Sequence, residues 1–304
     1  MAPSAGAEAP GTPSLYIGPD RFAAGFDREP FPFTHNLHRL DLFQFDSLLA
    51  LAERFAAAPR DYFVAAAAPS AATRFESVPH GQYTPLEAMQ RLDSAAVRVL
   101  LKRPENHDER FRKLLDSLFA QVVSLRGGMR GERVVRLESA VFVTSASSIT
   151  PCHFDPEIAF FAQIEGRKNY HVFSPGSMSE SELETFYRRG IVSIAQVDLS
   201  TRRTDLERFY PLTPGDGHHQ PQNSPHWVET GAERSISYSF VFETDASRAR
   251  NRTRACNHLL RRAGFTPARP GASPAGDAAK AAAMRVMFPI ERRMSNFAAK
   301  LRKA

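Results

Sequence analysis

The sequence predicts a mainly β fold flanked by helices, on three observations. Between residues 134 and 242, short runs rich in β-branched and aromatic residues are separated by turn formers. Helical periodicity is concentrated in the stretches before and after this block, apart from one short acidic run near residue 180. With 304 residues, 42% of them hydrophobic and 24% charged, the chain has the composition of a packed globular protein with one main core.

Taken in order, residues 1–13 are mostly Ala, Pro, Gly and Ser. Such a stretch buries too little apolar surface to offset the entropy of ordering, and it reads as a disordered tail. Residues 14–130 read as a helical and mixed region packed on the core. Within it, Asp46 followed by Leu48, Leu51 and Phe55 predicts a capped amphipathic helix, and Thr84, Pro85 and Glu87 form a capping box with proline at the first helical position. From Asp108 to Leu125, Phe111, Leu114, Leu115, Leu118, Phe119 and Val122 recur at helical spacing, and Gly127 with Gly128 ends the run.

Residues 131–244 are assigned to the β core, with strands over 134–137, 140–144, 158–164, 169–173 and 235–242. Residues 176–210 read as an insertion, a short acidic helix over 180–188 and then a charged segment without clear period. Residues 245–304 read as a basic helical region, with helices over 246–263 and 278–301 joined by a Pro/Gly/Ser-rich linker, 264–277. No internal repeat is visible.

Charge and composition narrow the function classes. The net charge of +6 is uneven: from Asp245 onward 14 Lys and Arg face Asp245, Asp277 and Glu291, 14 − 3 = +11, which leaves 6 − 11 = −5 for the rest. Such a basic end fits nucleic acid or an acidic surface, and equally a solvated helix face, which is the commoner case. No apolar run is long enough for a membrane span and no secretory leader is evident, so a cytoplasmic location is the expectation. Cys152 and Cys256 are too few for a cysteine-built zinc site, so a metal here would be held by nitrogen and oxygen.

The chemistry-bearing segment is Thr150-Pro151-Cys152-His153-Phe154-Asp155, followed by Pro214-Gly215-Asp216 and Pro225-His226-Trp227. Residues two apart on a strand share a face, so His153 and Asp155 can reach one ion together, and a third ligand must come from another strand. His218, His219 and His226 compete for that place. His226 is preferred because it follows a proline in a turn, whereas His218 and His219 begin the preceding strand. Two imidazoles and one carboxylate leave three adjacent positions of an octahedral ion open, the facial arrangement of non-heme Fe(II) oxygenases. A 2-oxo acid can chelate two of these and dioxygen take the third. Lys168, just past a Glu165-Gly166 turn, lies where an ammonium could return beside the metal strand, or simply stand exposed at a hairpin end. His171 is expected to face away, Cys152 to be a buried small hydrophobe, and Trp227 to be a core residue.

The run from Thr150 through Phe160 to Lys168, and then Phe173-Ser174-Pro175, closely resembles the JmjC-type hydroxylases, above all the asparaginyl-hydroxylase branch of factor inhibiting hypoxia-inducible factor. The likeness resumes at Pro214-Gly215-Asp216, with His226 where the family has its second histidine ligand, and spans roughly residues 134–243. The resemblance implies a double-stranded β-helix (cupin/jelly-roll, JmjC-like) core. It further implies Fe(II) held by His153, Asp155 and His226, and 2-oxoglutarate held at its distal carboxylate by Lys168 and the Thr150 hydroxyl, with Phe161 lining the pocket and O2 as the second co-substrate. Where that branch carries two asparagines this chain has Ala159 and Ser239, so co-substrate binding is expected to be weaker or differently supported.

The expected function is therefore Fe(II)- and 2-oxoglutarate-dependent hydroxylation of a protein or peptide side chain, or of a small molecule, with release of succinate and CO2. N-methyl-lysine demethylation uses the same oxidation and stands as an alternative within the class. A different class is a cupin-like, non-catalytic binding or regulatory protein whose basic C-terminal helices offer a partner or nucleic-acid surface. Met284, Met287, Phe288, Ile290 and Phe297 form an apolar set that fits either a homodimer contact or the covering of one end of the barrel.

Overall fold

The computed structural model of the chain describes residues 12–74, 77–78, 81–189 and 195–301, of which 292 and 294–301 are described by backbone alone. Two antiparallel sheets dominate it. The larger runs, in spatial order, β1 (Leu15–Tyr16), β2 (Phe31–His35), β11 (Asp216–Gln220), β7 (Ile158–Glu165), β13 (Ser235–Thr244), β5 (Val134–Thr144), β4 (Val97–Lys102) and β3 (Tyr62–Ala66). The smaller runs β10 (Glu207–Leu212), β8 (Lys168–Phe173), β12 (His226–Thr230), β6 (Ile149–Phe154) and β9 (Ala195–Gln196).

From β5 to β8 successive strands alternate between the sheets, and β11, β12 and β13 alternate again. That winding is the double-stranded β-helix. Each sheet keeps one face to the other, so side chains of one parity fill the barrel and those of the other parity meet what lies outside. On β7, Ala159, Phe161 and Gln163 face in, while Phe160, Ala162 and Ile164 join a core outside the larger sheet. Phe160 stacks there on Phe240, ring centroids 5.1 Å apart.

Helices supply the outer layers. On the larger sheet lie α2 (Phe45–Phe55) and α4 (Glu109–Arg126), through Leu48, Leu51, Phe55, Phe111, Leu114 and Leu118. Asp108 caps α4 by accepting from the Arg110 N–H, and Gly127 closes it at φ 72°. The capping box at Thr84 is present on α3 (Pro85–Met89). The α2 start differs from expectation: Asp46 lies inside the first turn, and Gln44 occupies the cap without a side-chain bond. Asp46 is thus placed to favour the positive end of the helix dipole.

Three helices cover the smaller sheet. The acidic α5 (Glu180–Arg188) packs with α6 (Asp245–Arg262) and α7 (Pro274–Leu301), enclosing Cys152, Phe154, Leu183, Phe186, Ala255 and Met284. Met287 and Phe288 pack against the same cluster, so part of the apolar set on α7 is spent within the chain, while Ile290 is exposed and the Phe297 side chain lies outside the described residues. Several cations of the basic end are likewise engaged, Arg254 with Glu180 and Arg261 with Glu184. Residues 1–11 of the expected tail fall outside the described residues. Thr12 and Pro13, at its end, are held by the side chains of Asn36 and Gln121. Among the described residues no helix is long and apolar enough to cross a membrane.

Candidate metal and co-substrate site

The antiparallel pairing of β6 and β12 sets His153 directly across from His226, so two residues 73 apart in sequence (226 − 153) share one level of the barrel. Their rings lie 4.1 Å apart, centroid to centroid. Asp155, two residues beyond His153 and therefore on the same side, brings Oδ1 to 3.9 Å from His153 Nε2 and Oδ2 to 3.7 Å from His226 Nε2. One donor atom from each of the three falls within 4.8 Å of the others. His218 and His219 stand apart from this group.

Backbone carbonyls orient both imidazoles. His153 Nδ1 is 2.8 Å from the Pro151 carbonyl and His226 Nδ1 is 3.1 Å from the Ser224 carbonyl. A carbonyl only accepts, so Nδ1 carries the proton in each ring and the Nε2 lone pairs are left pointing at the shared centre. Burial pushes the pKa of His153 down to about 4 and that of His226 to about 3, which keeps both rings in the neutral, ligating state. Burial raises the pKa of the Asp155 carboxyl, against the lowering influence of His226 and Arg136. The loop ahead of His226 is tied to the other ligand strand: the Asn223 N–H donates to the Asp155 carbonyl at 3.0 Å, and Gln222 Nε2 donates to the Pro156 carbonyl.

Thr150 reaches the interior by a route that alternation alone does not give. Three residues before His153, it would face outward on a regular strand. Between the pairs His226↔His153 and Val228↔Thr150 the register slips by one, a bulge at Pro151 and Cys152 that turns Thr150 to the side of Val228, inside the barrel. Cys152 then points to the outer cluster, and its burial pushes the thiol up to about 12. It is an inert apolar residue.

On β8 the inward residues are Lys168, Tyr170 and Val172, paired with Thr230, Val228 and His226 of β12. Lys168 is buried, 5% exposed, with Nζ 5.6 Å from the Phe161 ring centroid and 5.8 Å from that of Phe142. No carboxylate pairs with it among the described residues. Burial first, and the charge of Arg98 second, lower its pKa to about 7. Phe161 lines the same space. His171 faces the other way, stacked on Trp227 at 3.7 Å with its Nδ1 3.0 Å from Glu207, so Trp227 is a half-buried outer residue.

Three polar residues facing this space escaped the sequence reading as pocket groups. Gln220 stands across from Ala159, accepts from the Tyr170 hydroxyl at 2.8 Å, and has a buried Nε2 without a partner in hydrogen-bonding geometry among the described residues. An amide thus lies beside the position where the resembled branch has an asparagine. His218, read as a metal-ligand or packing candidate, points inward with both ring nitrogens buried and similarly unpartnered, its ring 3.9 Å from Tyr170. Arg98 also has a buried, unpartnered Nη1. The alternation Val97, Val99, Leu101 was the available signal for Arg98, since it sets the arginine on the opposite face. His219, by contrast, is outward among Phe26, Phe31 and Phe160, with both nitrogens hydrogen-bonded. A His-His-Asp set with both imidazoles neutral, next to an interior of unsatisfied donors and unpaired cations, fits a divalent ion together with an anionic chelator.

No family model matches the chain, and no curated protein sequence matches it. Solved structures do. Escherichia coli YcfD aligns over 91% of this chain and 69% of its own, with a TM-score of 0.52 and 17% identity. YcfD described as a ribosomal oxygenase, in complex with cobalt and 2-oxoglutarate, aligns over 91% and 68%, with a TM-score of 0.52 and 18% identity. The special affinity to the asparaginyl-hydroxylase branch is not among what these likenesses support. At this level of identity the likeness shows the fold: the chain shares the double-stranded β-helix architecture of YcfD.

Proposed function

We propose that this protein is an Fe(II)- and 2-oxoglutarate-dependent oxygenase that hydroxylates a side chain of a protein substrate. The observation that carries the reading is the convergence of His153 Nε2, His226 Nε2 and the Asp155 carboxylate within 4.8 Å, in a barrel whose buried Lys168 has no carboxylate partner among the described residues. Support comes from the structural relative, a ribosomal oxygenase obtained with cobalt and 2-oxoglutarate, which also favours a protein over a small molecule as substrate. A cytoplasmic setting is consistent with that relative.

When bound, Fe(II), 2-oxoglutarate and O2 together supply the oxidant for C–H hydroxylation, with the 2-oxo acid released as succinate and CO2. The chain's own residues bind and orient. His153, Asp155 and His226 would hold the Fe(II), each through one donor atom. Lys168 and the Thr150 hydroxyl take the distal carboxylate, and Phe161, Phe142, Val172 and Val228 keep bulk water from the interior. A complete ligand set with a buried lysine argues against a non-catalytic binding module, which has no physical need for all four.

Turnover tests the reading. The purified protein, given Fe(II), 2-oxoglutarate and O2, is expected to form succinate slowly even without its substrate, and His226→Ala to form none above background. Equal succinate from wild type and variant would refute it.

A further inference from the structure

On the reading above, one carboxylate of the co-substrate meets Lys168 at the far end of the barrel. We propose that Arg98 is a second cation at that seat, a co-substrate-binding residue that selects dicarboxylate 2-oxo acids over monocarboxylate ones.

Strand β4 reads Val97-Arg98-Val99-Leu100-Leu101-Lys102. Val97, Val99 and Leu101 are buried in the helix-side core, so Arg98 faces the opposite side of the larger sheet. Its Cα partner is Thr144 on β5. Thr144 Oγ1 lies 3.2 Å from Thr230 Oγ1, and Thr230 is the Cα partner of Lys168. Arg98 and Lys168 thus flank one threonine pair, approached from opposite sheets.

Neither cation is balanced. Arg98 Nη1 is buried without a hydrogen-bond partner, and no Asp or Glu pairs with Arg98 or with Lys168 among the described residues. A buried ammonium and a half-buried guanidinium with its Nη1 enclosed, both without a counterion, are unfavourable in the ligand-free chain, and an apolar residue at either place would remove that cost. Each cation lowers the stability of the empty protein and is compensated only when an anion arrives. A guanidinium presents two parallel N–H groups to a carboxylate where an ammonium offers a point charge, so the pair together grips and orients one carboxylate. A 2-oxo acid lacking the distal carboxylate leaves both cations uncompensated.

Titration calorimetry of the full-length Zn(II)-loaded protein, which binds without turning over, separates the outcomes. 2-Oxoglutarate is expected to bind Arg98→Met about ten- to a hundredfold more weakly than wild type, pyruvate equally to both, and Arg98→Lys to lie between. Without ligand, Arg98→Met is expected to melt no lower than wild type, whereas a merely structural arginine would lower the melting temperature on removal. If wild type binds 2-oxoglutarate and Arg98→Met binds it as tightly, or loses pyruvate in the same proportion, the role of Arg98 is overturned and the oxygenase reading stands. If wild type itself does not bind 2-oxoglutarate, both fall. Should Arg98→Met fail to fold, undiminished binding in Arg98→Lys and Arg98→Gln would overturn the role equally.

Discussion

At the level of single residues, the two imidazoles of the site share one device: each gives its Nδ1 proton to a backbone carbonyl two positions earlier in the chain. The tautomer is thereby set by local backbone, before any ion is bound. Lys168 is the opposite case, a charged group held in an environment that disfavours its charge. Its pKa falls from 10.5 to about 7, chiefly through burial and then through Arg98; the other groups that face it, Phe142, Phe161, Thr230 and Leu212, carry no charge. Between those two values the unfolded chain holds a proton that the folded chain has lost. The ligand-free protein should therefore gain stability as pH rises from about 7 to 10.5. Urea denaturation at pH 7 and pH 9 should show this gain in wild type and lose Lys168's share of it in Lys168→Met. A carboxylate ligand restores the ammonium, so above pH 7 binding takes up a proton and the affinity for 2-oxoglutarate should fall by up to about tenfold per pH unit.

The residues legible from sequence were those whose spacing carries the geometry. His153 and Asp155 two apart on a strand must share a face, and they do. His171, three beyond Lys168, must face away from it, and it does. Thr150 is different: only a bulge brings it to the face of His153, and nothing in the order of residues marks a bulge. For its inward place the family resemblance was the sole guide. Arg98 was hidden because its strand was not recognised, although a run of alternating Val and Leu encloses it.

At the level of elements, β7 and β8 are joined by a turn that determines where Lys168 points. Gly166 there has φ 69°, and a Cβ would strike the Arg234 carbonyl. Gly166→Ala meets both a left-handed backbone and a backbone clash, and should cost more than about 1 kcal/mol by chemical denaturation, with weakened co-substrate binding. Phe154, the last residue of β6 and flanked by His153 and Asp155, buries its ring against Phe186 at 4.6 Å. Phe154→Ala should cost about 3 to 5 kcal/mol and reduce metal affinity, since it loosens the strand that aims His153 and Asp155. The element most thoroughly missed is β10, read as part of an irregular insertion. It is an edge strand that reads Glu-Arg-Phe-Tyr-Pro-Leu, half of it exposed and with a proline near its end, so it lacks the apolar run that marks a buried strand.

For the whole molecule, the helices flanking the β core brace the strands that carry the site. Arg254 and Arg261 of α6 reach Glu180 and Glu184 of α5, and Arg188 of α5 reaches Glu291 of α7, each through two hydrogen bonds. Beneath them lie Cys152 and Phe154, on the reverse side of the ligand strand. Removal of residues 245–304 should therefore expose that apolar face. The truncated chain is expected to bind a hydrophobic dye, lose cooperative melting and hold metal poorly, whereas an independent tail would leave all three unchanged. Sequence showed that these helices exist and that they are basic. It could not show that their cations meet the acidic face of α5, because that pairing joins segments 74 and 77 residues apart.

On this account His153, Asp155 and His226 would together hold one Fe(II) that a 2-oxo acid can chelate. Anaerobic titration of the Fe(II)-loaded protein with 2-oxoglutarate, followed in the visible spectrum, reads that chelation itself. A weak metal-to-ligand charge-transfer band that saturates with 2-oxoglutarate in wild type, and is missing in His153→Ala, is the result predicted here. Wild-type protein that retains Fe(II) but develops no such band, or a band that survives His153→Ala undiminished, would contradict it.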